Sequence, residues 1–182
     1  MSKRTDSLFK VLNIVAWIIF IGLAIDTGGY ITNTIWAIFF NSVIAANFWG
    51  YINLSDLYSY DLGFFVCLTV LLTTVSLLKT ILFYQTVSVF HKKKFNLENP
   101  FNETIKDFIF NFAFIALGIG LLSYAGKSFS YWLINQGLKM PDLERMKLGG
   151  SDVWLFMGVT LLIVAKIFKK GIELQSENDL TV

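Results

Sequence analysis

From Phe64 to Leu78 the chain carries no charged residue, and the apolar character continues through Ile81, Leu82 and Phe83 before the run His91-Lys92-Lys93-Lys94. A helix rises about 1.5 Å per residue, so this stretch is long enough to cross a hydrocarbon core of about 30 Å. The lysines then set its orientation, because Lys and Arg beside a spanning helix stay on the cytoplasmic side. Every other segment can be placed by alternation from that one.

The bulk chemistry agrees. Of 182 residues 55% are hydrophobic and 15% charged, and the mean hydropathy is +0.61, whereas a soluble domain carries about 25% charge. The net charge of +2 says less than the positions of the charges. One cysteine, Cys67, can form no internal disulfide, and with one histidine, His91, it excludes a Cys/His zinc site. Lys3, Arg4 and Lys10 precede an apolar run as in a signal peptide. Asp26-Thr27-Gly28-Gly29 is a poor cleavage site, so an uncleaved first helix is expected.

The first span is expected at about residues 8–25, broken by Gly28-Gly29. Tyr30 to Ala46 is apolar but interrupted by Thr32, Asn33, Asn41 and Ser42. If it spanned, one lysine cluster would have to face outward, so it is placed in the outer interface as a re-entrant or amphipathic segment. Phe48, Trp49, Tyr51, Tyr58 and Tyr60 come next, aromatics suited to headgroup level. Further spans are expected at about 63–85, 104–125 and 152–169. Asn99 and Pro100 are placed to open the third, Gly126 to close it, and Ser151 with Asp152 to cap the fourth. Gly171 is expected as a C-cap, leaving 171–182 as a cytoplasmic tail. Under this layout eleven of the 15 Lys and Arg lie inside, and Lys127, Lys139, Arg145 and Lys147 outside.

The tail, Phe168-Lys169-Lys170-Gly171-Ile172-Glu173-Leu174-Gln175-Ser176-Glu177-Asn178-Asp179-Leu180-Thr181-Val182, resembles the ending of the bacterial membrane family called domain of unknown function 2975. That family commonly closes with Gly-x-x-Leu-Gln-x-Glu-Asn-Asp-Leu-Thr-Val or Ile. The connection from Phe95 to Phe101 also suits it. The resemblance implies four spanning helices. It also implies a partner, since genes of this family often sit beside one for a small Cro/CI-type helix-turn-helix regulator.

Several residues are candidates for more than topology. Lys92, Lys93 and Lys94 suit anionic lipid or an acidic partner; without a reading helix or aromatic platform they do not suggest direct nucleic-acid binding. Leu174, Leu180 and Val182 are apolar residues in an otherwise solvated peptide, and with Gln175, Glu177, Asn178 and Asp179 they could enter a groove on a cytoplasmic protein. Lys79 is expected to snorkel to the inner interface, or else to pair with Asp107 inside the bundle. Asn111 is a second intramembrane polar residue, Asp26 is expected at the outer interface, and Ala116, Gly120 and Gly158 allow close helix approach.

The expected fold class is therefore all-α: a polytopic integral membrane protein of the bacterial inner membrane, one domain, four transmembrane helices, both termini cytoplasmic, and interfacial segments in the outer loops. The leading expectation for function is a non-enzymatic regulatory or scaffold protein that holds a small transcription regulator at its cytoplasmic face. The alternatives are a small-molecule or lipid transporter or binding protein lined by Lys79 and Asn111, and an envelope immunity or stress protein. No cofactor is expected, and no Ser/His/acid set, paired carboxylates or phosphate-binding glycine loop suggests an enzyme.

Overall fold

Four helices are long and apolar enough to cross a membrane. The computed structural model describes residues 3–50, 52–91 and 102–179. In chain order they form α1 (Lys3–Phe39), a 3₁₀ turn (Ser42–Asn47), α2 (Ser55–Tyr60), α3 (Leu62–His91), α4 (Glu103–Asn135) and α5 (Ser151–Asp179). Among the described residues there is no strand, only an isolated bridge between Phe48 and Ile52. The fold is all-α.

Neighbouring helices run antiparallel. Phe20 meets Tyr84 and Thr27 meets Ser76 across α1 and α3; Phe64 meets Trp132 across α3 and α4. Gly120 and Gly158 join α4 to α5, where a Cβ would fall 2.7 Å from Leu155 and from Leu117 respectively. These are the close approaches that small residues permit. The start of α1, the end of α3, the start of α4 and the end of α5 thus share one end of the bundle, here the terminal end. The connections around 40–61 and 136–150 share the other, the loop end. Among the named helices α1 packs against α3 but against neither α4 nor α5.

Gly28 and Gly29 do not break the first helix, which runs unbroken to Phe39. Two local causes oppose the break. Two of the polar residues expected to interrupt the apolar stretch bond back onto the helix, Thr32 Oγ1 donating to the Gly28 carbonyl (2.9 Å) and Asn33 Nδ2 to Gly29 (2.9 Å), and Thr34 Oγ1 does the same to Tyr30 (2.8 Å). Gly29 serves packing, since a Cβ there would run into the Trp49 indole. The expected break between the first span and 30–46 is therefore corrected: the first part of that segment completes α1 and its second is the 3₁₀ turn, capped by Asn41.

Two further glycines also lie inside helices. Gly126 receives Leu148 and α4 continues to Asn135; α5 passes through Gly171 to Asp179. α4 stops instead at Gly137 (φ +90°), where Gly137 N–H bonds Ile134 and Leu138 N–H bonds Leu133. That is a Schellman cap, closed by the apolar pair Leu133 and Leu138. Asn99 and Pro100 lie outside the described residues; the observed cap of α4 is Asn102, whose side chain accepts from Ile105 N–H (3.0 Å).

The largest buried side chains gather at the loop end. Phe48, Ile52, Leu57, Phe65, Leu68 and Leu133 are fully enclosed. Rings interlock there: Tyr30 stacks on Phe48, and Phe65 takes Phe48 and Tyr58 edge-on. The apolar run of α3 from Phe64 to Val75 is thus covered in large part by protein. Each such buried side chain contributes about 1.5–3 kcal/mol.

Candidate functional site

Charged side chains from three distant parts of the chain converge beneath this core. Asp26, within α1, accepts from the Trp49 indole N–H (3.1 Å) and forms an ion pair with the Lys147 ammonium. Lys79 of α3 donates to the Lys147 carbonyl (2.8 Å), and its ammonium stands 5.7 Å from the centre of the Trp154 ring on α5. Beside them Thr27 Oγ1 shares hydrogen bonds with Ser76 (2.8 Å) and Thr80 (3.0 Å), fastening α1 to α3 at the same level.

Lys147 reaches both neighbours because of its backbone. Leu148 N–H bonds the Leu143 carbonyl and Lys147 N–H bonds Glu144, a second Schellman turn with Leu148 against Leu143 as its apolar closure. The residue at the left-handed position of such a turn is usually glycine, as Gly137 is in the first. Here it is Lys147, at φ +55°, the one positive-φ residue other than glycine among those described. Left-handed backbone costs an L-residue roughly 1–2 kcal/mol. Met146 and Leu148 on either side are buried and fix the turn in place. The arrangement ties α1 to the α4–α5 connection, although α1 packs against neither of those helices.

The expected snorkelling of Lys79 to the cytoplasmic interface, and its alternative pairing with Asp107, are both corrected. Lys79 belongs to the same cluster as Lys147, and Asp107 pairs with Lys106 (3.4 Å). A lysine leans toward the N-terminus of its own helix, and for α3 that is the loop end. Asp26 and Lys147 were legible as isolated charges near the outer connections. Their pairing, 121 residues apart in sequence, was not, and Trp154 carried no signal beyond its aromatic character.

Asn111 is elsewhere. It lines a cavity of about 310 Å³ near the terminal end with Gln85, Ser88, Thr104 and Asp107. Gln85 Oε1 is buried there without a hydrogen-bond partner.

Of the expected docking residues, Lys92, Lys93, Lys94, Leu180 and Val182 lie outside the described residues. Asn178 and Asp179 close α5 as helical backbone. Leu174, Gln175 and Glu177 are exposed on that helix. The tail is therefore a continuation of α5 as far as Asp179.

Residues 52–182, well over half of the chain, match the family described as "Protein of unknown function (DUF2975)". The chain belongs to that family. The match takes in Lys79, Lys147, Trp154 and the tail, while α1 with Asp26, and Trp49, precede it. No curated protein and no solved structure is matched.

Proposed function

We propose that this member of the family is a non-enzymatic regulatory or scaffold protein of the bacterial inner membrane, with its terminal end in the cytoplasm. There it docks a small transcription regulator. The observation that carries this reading is the helical arm: α5 runs past Lys169 and Lys170 for more than two turns, with Leu174 about half exposed. The Lys170–Glu173 pair (3.3 Å) and the Ser176 Oγ bond to the Glu173 carbonyl support the helix locally. An exposed leucine on a helix suits insertion into an apolar groove. Glu173, Glu177 and Asp179 make the arm acidic, which complements the basic face of a DNA-binding protein.

The test is co-purification of the full chain and of a chain ending at Gly171 from membranes. The full chain retains a cytosolic DNA-binding protein and the shortened one loses it. Equal recovery removes the docking role. Orientation is checked in a Cys67→Ser background by Lys93→Cys and Thr181→Cys: an impermeant thiol reagent leaves both unlabelled in intact cells, and labelling of either overturns the reading.

A second reading, binding of a small polar molecule near the terminal end, is favoured by the unpartnered Gln85 Oε1 beside Asn111. It requires Gln85→Leu to abolish ligand uptake or retention.

A further inference from the structure

We propose that Lys79 and Lys147 hold the phosphate group of an anionic lipid at the loop-side boundary of the bilayer. The proposal is independent of what docks at the terminal end. It begins with a shortage of negative charge. Asp26 already serves the Lys147 ammonium and the Trp49 N–H. Lys79, half-buried, has one carbonyl and one ring face, and among the described residues no carboxylate lies within ion-pair distance of it. An ammonium carries three donors, and one without a counter-ion away from bulk water is costly. Two lysines therefore share one carboxylate and leave a net positive charge in the cluster.

The depth of the cluster names the missing anion. Along α1 the charge-free run between Lys10 and Asp26 is about 24 Å of helix, along α4 that between Asp107 and Lys127 about 30 Å, and along α5 that between Asp152 and Lys166 about 21 Å. The run along α4 matches a hydrocarbon core of about 30 Å, and those along α1 and α5 are shorter than it. Together they put Asp26 and Lys147 toward its loop-side edge, where Trp49 and Trp154 suit the headgroup region, and Lys79 reaches the same level from within α3 through its bond to the Lys147 carbonyl. Phosphate is the abundant anion at that level. Lys79 meets the backbone of the same left-handed residue whose ammonium meets Asp26, so both lysines belong to one turn.

The test uses the full chain in nanodiscs of phosphatidylglycerol and phosphatidylcholine, released for native mass spectrometry. Wild type retains phosphatidylglycerol in preference to phosphatidylcholine. Lys79→Gln lowers that retention about tenfold, the scale of one charge-assisted hydrogen bond, and Lys79→Arg restores it. Asp26→Asn frees Lys147 and raises retention, a gain that damage to the fold does not produce. Undiminished retention in Lys79→Gln, no gain in folded Asp26→Asn, or no preference in wild type overturns the proposal. A second arm titrates inorganic phosphate into delipidated protein in detergent. Millimolar phosphate gives no Lys79-dependent rise in melting temperature if the source is lipid, and such a rise overturns the lipid assignment in favour of free phosphate.

Discussion

Two regions of this bundle, the loop-end core and the outer faces of α1 and α5, put similar apolar residues to opposite uses. At the loop end Phe48, Leu57, Phe65 and Leu133 are enclosed by other parts of the chain. Along the outer faces of α1 and α5, Leu8, Ile14, Ile18, Phe156, Ile163 and Ile167 face outward, where lipid can cover them. The first region is held by protein packing and the second by its solvent. Hydropathy scores both alike, which is why the run of α3 from Phe64 onward reads as lipid-facing and is in large part a core.

The contrast is broken or sharpened most strongly by truncating one ring in each region. Phe48→Ala removes about 3–5 kcal/mol of stability. Phe156→Ala, at a site 75% exposed, stays within about 0.5 kcal/mol. Unfolding of purified protein by SDS titration measures both, and equal losses break the comparison. Glycines come next. Gly158→Val drives a side chain against Leu117 and costs about 1–3 kcal/mol, while Gly22→Ala, with nothing within 4 Å, is neutral or stabilising by up to about 1 kcal/mol. Thermal melts in detergent separate them.

The smallest effect concerns Lys147. Lys147→Gly loses an ion pair whose lysine is 49% exposed, about 0–1 kcal/mol, and relieves left-handed strain of similar size, so its net change is near zero. Lys147→Ala loses the pair and keeps the strain, and falls about 1 kcal/mol below the glycine variant. If alanine and glycine melt together, the turn is not strained.

Helix number and order were legible because long charge-free runs leave few alternatives. Helix ends were not. Gly28-Gly29, Gly126 and Gly171 look like stops, yet Gly29 and Gly126 are places where Trp49 and Leu148 come close, while the true stop, Gly137, is set apart by Leu138 folding back onto Leu133. A glycine's role depends on its partner, and for Gly29 and Gly126 the partner is some twenty residues away along the chain. Asp26 and Lys147 illustrate the same limit: each was visible as a lone charge, but 121 residues separate them, and no local pattern announces the pair. The left-handed backbone at Lys147 had no signal at all, because the sequence offers lysine where the geometry prefers glycine.

The isolation of α1 from α4 and α5 has a consequence for biogenesis. During synthesis α1 enters the bilayer before its one helical neighbour exists, and its outward-facing Leu8, Ile14 and Ile18 let lipid tails surround it in the interval. α1 with α3, and α4 with α5, then join as two hairpins. The Lys147 turn is translated between the last two helices but can grip Asp26 only when both hairpins have inserted in the same sense. At about 0–1 kcal/mol, the pair marks a chain that has threaded the membrane in that sense and does not by itself enforce the threading.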